Sequence, residues 1–362
     1  MKEFWANHKQ TILIVAGVTA GLVLVGAVAA AMLLGDTSPE EPQQVITSAW
    51  PVAERERSVP APPEPVRWPL TGVEVAPGES PADVRVLSVK IENSPAARPQ
   101  TGLDMADVVY EALTEGGITR FNALFHSQVP PEVGPVRSAR MSDTQLVPQY
   151  SALFAHSGGN TGVLSAISSA GIEVVHHSGA PAAYRRARDR SAPHNLYMDP
   201  TLAREIGMSR GYAATQELKG LQFSPSIDST LTVSSVAIPF STANSATWKY
   251  DTESDSYMRS NNGRPHVERV SGEQYSARNV VVLWARTTAT GPRGIGGTTL
   301  EIALVGSGRA AIFRNGVRID GEWETDGSSP PVFKDDQGAI ARLAPGNTWF
   351  QVVPLDVNIS ME

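Results

Sequence analysis

The chain has 362 residues, 41% hydrophobic and 19% charged, the balance of a globular protein with room for two domains and appendages. A formal charge of −7 and a pI near 5.6 argue against a nucleic-acid partner, which calls for a basic surface. There is no cysteine, which excludes disulfides, thiolate chemistry, zinc fingers, iron–sulfur clusters and a lipid-modified N-terminal cysteine.

The first predicted element is a membrane span. Thr11 to Leu34 is a run of 24 residues without a charge, which as a helix measures roughly 36 Å and crosses a bilayer with some tilt. It exceeds the apolar run of a simple cleaved signal, about 7 to 15 residues, although Ala27, Ala29 and Ala30 leave cleavage open. Lys2, His8 and Lys9 precede the span and Asp36, Glu40 and Glu41 follow it. The positive-inside rule then puts residues 1–10 in the cytoplasm and the rest outside the cell membrane. Residues 35–69 form a tether: eight prolines among Ser, Thr and Glu cannot build a core and stiffen toward polyproline II. Trp68, at its end, is expected to dock on the folded region.

Residues 70–222 read as an α/β (or α+β) mixed-sheet domain. Val84 to Ile91 alternates as a strand, and ENSPAARP (92–99) is a loop. Asp107 to Ser127 reads as a hairpin around the turn TEGG. If that turn centres on Glu115 and Gly116, Glu111 faces Arg120 directly, an ion pair whose plain reading is structural. GPVRSAR (134–140) follows, with Ser138 as N-cap of a helix through MSDTQLVPQY. A strand then ends at His156 before Gly158 and Gly159, followed by a helix at TGVLSAI and a strand at GIEVVHH. A strand, a glycine turn and a helix make an edge that favours anions. Arg185, Arg186, Arg188 and Arg190 crowd the loop before Pro193, His194 and Asn195, and Asp199–Pro200 start a helix at TLAREIG. Such a run is usually solvated, but with Arg98, Arg120, Arg137 and Arg140 it is able to grip a phosphate or carboxylate.

Residues 231–358 read as a β-rich C-terminal domain. VVVLWA, TTLEIALVG, RAAIFRNGVRIDGEWE and WFQVVPLD are strand-like, and Asn315-Gly316 signals a tight hairpin. Trp248, Trp284, Trp323 and Trp349 are expected in the core, with a carbohydrate or peptide platform as the alternative.

Six segments carry a resemblance: Asn93 with Pro95 to Gln100, Ala106 to Glu111, Gly116 to Arg120, Gly134 to Arg140, His156 to Gly159, and Ala192 to Asn195. In this order they resemble the YerB-like bacterial envelope proteins, a family of unknown function built from an N-terminal and a C-terminal domain. The resemblance runs over nearly all of the chain after the tether. It implies the domain type and an envelope location, but no reaction. Members are often lipoproteins; here the acylated cysteine is missing and the span at 11–34 stands in its place.

Most chemistries find no foothold. No HExxH or i,i+4 ligand spacing accompanies the five histidines between His126 and His194, so no metal is predicted, and no cofactor. No GxSxG elbow exists. A carboxylate pair from Glu111 with Asp107 or Glu115 fails because an arginine opposite Glu111 favours its ionised form. What remains is a predicted anion site of Asn93, Arg98, Glu111, Arg120, Arg137, Arg140, His156, His194 and Asn195. One reading is a membrane-tethered binding or scaffolding module for an anionic envelope ligand or a cell-wall-assembly protein. The other is a hydrolase or phosphoryl transferase on an anionic envelope substrate, with His156, His194 or Glu111 as acid or base. The absence of a nucleophile favours binding. The histidines discriminate: imidazoles that cap loops through backbone bonds speak for structure, and one beside an arginine in a cleft speaks for chemistry.

Overall fold

The computed structural model describes residues 65–226, 229–290 and 299–362. The predicted span at 11–34, the N-terminal residues 1–10 and the tether as far as Glu64 lie outside the described residues. Among the described residues no helix is long and apolar enough to cross a membrane. Trp68 is buried at 7% exposure and meets His126 edge-on at 5.0 Å, so the last residues before Leu70 are already part of the fold.

The first half supplies four strands and three helices: Leu87–Glu92 (β1), Val108–Leu113 (β2), Thr119–Phe125 (β3), Asp143–Gln149 (α1), Leu153–Ala155 (β4), Thr161–Ser169 (α2) and Pro200–Ser209 (α3). A small hairpin, Tyr184–Arg186 (β5) with Leu196–Met198 (β6), lies between α2 and α3. The second half opens with Ser235–Pro239 (β7), Ser245–Asp251 (β8), Ser256–Asn261 (β9), Arg264–Pro265 (β10) and Ser276–Ala277 (β11). Then come Asn279–Trp284 (β12), Thr287–Thr290 (β13), Thr299–Ile302 (β14), Gly306–Arg314 (β15) and Val317–Thr325 (β16). Val332–Asp335 (β17), Thr348–Val353 (β18) and Ser360–Met361 (β19) complete the chain. The mixed first half and β-rich second half are those predicted.

Strands of both halves form one nine-stranded sheet, in the order β17-β16-β15-β12-β18-β2-β3-β1-β4. The join is parallel, β18 beside β2, from Thr348 opposite Val108 to Val352 opposite Ala112. A second sheet, β10-β9-β8-β7-β19 with β11 on β9, covers one face of the first. Val109, Phe121, Val280 and Trp349 of the main sheet meet Val236, Ile238 and Trp248 there. The opposite face carries Tyr110, Leu124, Val281 and Phe350 and is covered by Leu146 and Val147 of α1 and Val163 and Ile167 of α2. Because both faces are covered, all six residues of β1 are buried, Ser88, Lys90 and Glu92 included. The pleat sends these three to the side opposite Leu87, Val89 and Ile91.

Two local expectations are corrected. The helix expected from Ser138 begins at Asp143, after Ser142. Residues 137–139 stay extended because Arg137 N–H donates to Lys90 O (2.8 Å) and Ala139 N–H to Gly158 O (2.8 Å). The hairpin at 107–127 forms, but Glu111 lies opposite Phe121, and Ala112 opposite Arg120. Gly116 (φ 78°) and Gly117 (φ 74°) both take the left-handed region. The turn therefore closes from Thr114 N–H to Ile118 O (2.8 Å), one residue longer than expected. A slip of one residue sends the side chains concerned to opposite faces. The Asn315-Gly316 turn forms as predicted, with φ of 50° and 73°.

Candidate functional site

The register of β2 and β3 divides the predicted anion site in two. Glu111 points to the face covered by the second sheet, where it is fully buried and paired with Arg259 of β9 at 2.7 Å. Arg259 lies between the rings of Phe121, Trp248 and Trp349, its guanidinium carbon 5.2–5.6 Å from their centroids. It also contacts His266 Nδ1, whose Nε2 meets Gln100 Oε1 at 2.6 Å. Asn93 Nδ2 donates to Glu111 Oε1 (3.1 Å) and Thr119 Oγ1 (2.7 Å). Arg98 donates to Asn93 Oδ1 (2.9 Å), Asn93 O (2.7 Å) and Asn244 Oδ1 (3.0 Å). Burial pushes the Arg98 guanidinium down to about 10, with the Arg259 charge acting the same way. A buried charge costs heavily unless it is paired and hydrogen-bonded, and here every partner is internal. Asn93, Arg98 and Glu111 thus tie the two halves of the fold together rather than joining the other arginines.

Arg120 points to the opposite face, and there Arg137 and Arg140 do join it. Arg120 Nη1 donates to Ser138 O (2.8 Å), while its buried Nε has no hydrogen bond among the described residues. Burial pushes its guanidinium down to about 10, and the charges of Arg140 and Arg137 add to the effect. Arg140 pairs with Glu115 at 2.6 Å. Arg137 Nε lies 3.1 Å from Glu92 Oε2, an ion-pair distance at which neither atom makes an aligned hydrogen bond. Three guanidinium groups thus face two carboxylates, Glu92 and Glu115. The side chains of Arg137 and Arg140 reach the surface, at 22% and 17% exposure.

His194 belongs to this second group. Its Nδ1 lies 2.9 Å from Glu92 Oε1, an oxygen that also accepts from Ser94 Oγ at 2.8 Å. Its Nε2 makes no protein hydrogen bond among the described residues. One carboxylate therefore holds an imidazole through one oxygen and faces Arg137 with the other. The strand register explains Glu92: it ends β1 opposite Arg120 and shares the face of Lys90. Lys90 is buried, donating to Asn122 Oδ1 (2.5 Å) and Asp143 Oδ1 (2.8 Å). Burial pushes its ammonium below the ordinary lysine range, against the pull of Asp143. Sequence reasoning missed Glu92, Lys90 and Asp143, although charged residues two apart in a strand otherwise buried were a usable signal.

His156 and Asn195 hold loops. His156 Nδ1 accepts from Gly158 N–H at 3.0 Å, and burial pushes the imidazole down to about 4, so it stands neutral. Asn195 Nδ2 donates to Ala187 O (2.9 Å) and Arg190 O (3.0 Å), and its Oδ1 accepts from Arg186 (2.8 Å). Arg185 pairs with Glu132, and Arg190 donates to Ala97 O and Pro99 O (2.7 and 2.8 Å). These arginines brace loops rather than converging on one anion. Gly134 shows how tightly they are braced: a Cβ there would sit 2.8 Å from Tyr197 Cδ1 and 2.9 Å from Leu196 O. Trp248, Trp284, Trp323 and Trp349 are all buried, which leaves them no exposed platform. Asp107, considered beside Glu111, instead accepts from the His126 and Ser127 N–H groups.

Known proteins agree with this architecture. Residues 70–213 match the family described as "Protein of unknown function (DUF3048) N-terminal domain", and residues 236–350 match its C-terminal domain. The chain is 31% identical over 303 residues to "Putative lipoprotein YerB" of Bacillus subtilis (strain 168), a match covering 82% of this chain and 89% of that protein. The crystal structure of the YerB protein from Bacillus subtilis superposes with a TM-score of 0.73 at 30% identity, covering 82% of this chain and 99% of that one. This chain belongs to the DUF3048 family and carries its N-terminal and C-terminal domains in order.

Proposed function

We propose that this chain is an envelope-associated binding module, held at the membrane by its own N-terminal apolar run, which recognises an anion at Arg120, Arg137 and Arg140. The placement outside the cell membrane rests on the charges flanking residues 11–34 and on the name "Putative lipoprotein YerB" carried by the Bacillus subtilis relative. With no cysteine to acylate, the apolar run is the remaining anchor. The observation that carries the ligand class is the unbalanced cluster: three guanidinium groups, one with an unpaired buried Nε, against two carboxylates. Arginines that repel one another in a half-buried place gain from an anion that accepts from several of them at once.

A second reading has one observation in its favour. Glu92 orients His194 through Nδ1 and leaves Nε2 available, the arrangement of a general base beside cationic groups. It would make the same face a hydrolase or phosphoryl transferase. Both readings meet one experiment: the melting temperature of the full chain, in detergent, against a panel of phosphorylated and anionic envelope molecules. Saturable stabilisation that Arg137→Ala abolishes in a folded variant is the expected result, and turnover that His194→Ala removes would select the enzyme. No response to any anion, with Arg137→Ala only lowering the melting temperature, would overturn the anion site.

A further inference from the structure

A separate cavity lies where the loop 95–99 meets the β9–β10 turn, joining the two halves of the family fold. Its volume is ≈ 270 Å³. Pro95, Pro99 and Pro265 wall it, and Arg98, Asn261 and Arg264 supply its polar edge. No carboxylate lines it. The prolines and Val267 offer apolar contact, and His266, the fourth polar residue of the lining, already has both ring nitrogens engaged by Arg259 and Gln100, so recognition there falls to the other three polar side chains.

Each of the three has unused bonding capacity. Asn261 is buried, and its Nδ2 donates to Ser245 O (2.8 Å) and Asn244 Oδ1 (3.1 Å). Those two bonds fix which end of the amide is which. The Oδ1 is buried and accepts no hydrogen bond among the described residues. A buried acceptor without a donor is costly, and a ligand N–H able to reach it would recover that cost. Arg98 uses Nε and Nη2 on Asn93 and Asn244, while its Nη1 has no partner among the described residues. Arg264 is exposed and makes no ion pair or side-chain hydrogen bond among the described residues.

We propose that this cavity binds the carboxyl terminus of a peptide. The terminal carboxylate accepts from Arg98 and Arg264, the last amide N–H donates to Asn261 Oδ1, and the final side chain lies against the prolines. The chemistry is specific in its pairing: an anion and an N–H donor a few atoms apart are what two arginines and one unpaired amide oxygen complement together. The cavity is small beside the ~300–1,000 Å³ of drug-sized sites, which suits the end of a chain rather than a whole compact ligand.

Calorimetric titration of the full chain in detergent with acetyl-Ala-Ala, as free acid and as amide, tests this. The free acid binds saturably, and amidation or N-methylation of the last peptide bond weakens it about tenfold or more. Arg264→Ala weakens it about tenfold with an unchanged melting temperature, because Arg264 is exposed. Arg140→Ala, in the other cluster, leaves it unchanged. Equal binding of acid and amide, no heat up to ~10 mM peptide, or full affinity in Arg264→Ala overturns the proposal. Displacement by an equal concentration of inorganic phosphate overturns the peptide assignment, since it marks a site for any anion. N-methylation probes Asn261 from the ligand side, so the result stands even if Asn261→Ala fails to fold.

Discussion

His156 shows how little a residue's type says about its role. Beside a Gly-Gly turn it reads as acid or base; in the fold its Nδ1 accepts from Gly158 N–H, and Lys90, Asp143 and His176 lie around it. The sign of its pH effect follows. The unfolded histidine takes a proton below its ordinary 6.5, while the folded one holds off until about 4. Between those values the unfolded state binds more protons, so stability is full above 6.5 and falls on acidification through the window, by up to about 1.4 kcal/mol per pH unit. Burial pushes His126 and His266 down as well and adds slope of the same sign. His156→Asn can keep an acceptor for Gly158 N–H and removes the titration. Urea unfolding at several pH values is expected to show a shallower slope for this variant between 6.5 and 4. An unchanged slope would place the acid sensitivity elsewhere.

Among the elements, the β2–β3 hairpin was the most legible and its register the least. Alternation and the TEGG turn located both strands, but the length of the turn depended on Gly117 also taking positive φ. That one residue moved Glu111 away from Arg120 and gave it Arg259, a partner 148 positions along the chain. Double-mutant cycles read the difference directly. Glu111→Ala with Arg259→Ala is expected to show coupling above about 1 kcal/mol, and Glu111→Ala with Arg120→Ala to add within about 0.5 kcal/mol. The single variant Arg259→Ala should cost about 3–5 kcal/mol in denaturant unfolding, because it leaves Glu111 buried without its counter-charge. Strong coupling of Glu111 to Arg120 would contradict the register.

At the scale of the whole molecule, the two family domains share one sheet rather than resting against each other. Strand β18 is hydrogen-bonded on both sides, to β12 of its own half and to β2 of the first. The polar network of Glu111, Arg259, Asn93 and Gln100 crosses the same junction. Cooperative units follow such contacts. Calorimetry of residues 65–362 is therefore expected to give one transition with equal calorimetric and van't Hoff enthalpies. Residues 70–222 alone, lacking the partner of β2, are expected to show no cooperative transition. Two separate transitions in the longer fragment would mean that the halves fold independently.

The sequence by itself determined what depends on neighbours along the chain. The mixed first half and β-rich second half follow from periodicity, the α3 cap from Asp199-Pro200, and the β15–β16 turn from Asn315-Gly316. The family followed from ordered motifs. The tertiary structure alone decided which polar residues meet, because a strand exchanges its two faces with a slip of one residue and a sheet pairs strands distant in sequence. Glu111 and Arg120, read from the sequence as facing each other, end on opposite faces of the main sheet for that reason. Glu92 gained its part in the arginine cluster, and Asn261 its unpaired oxygen, from neighbours that no local pattern announces.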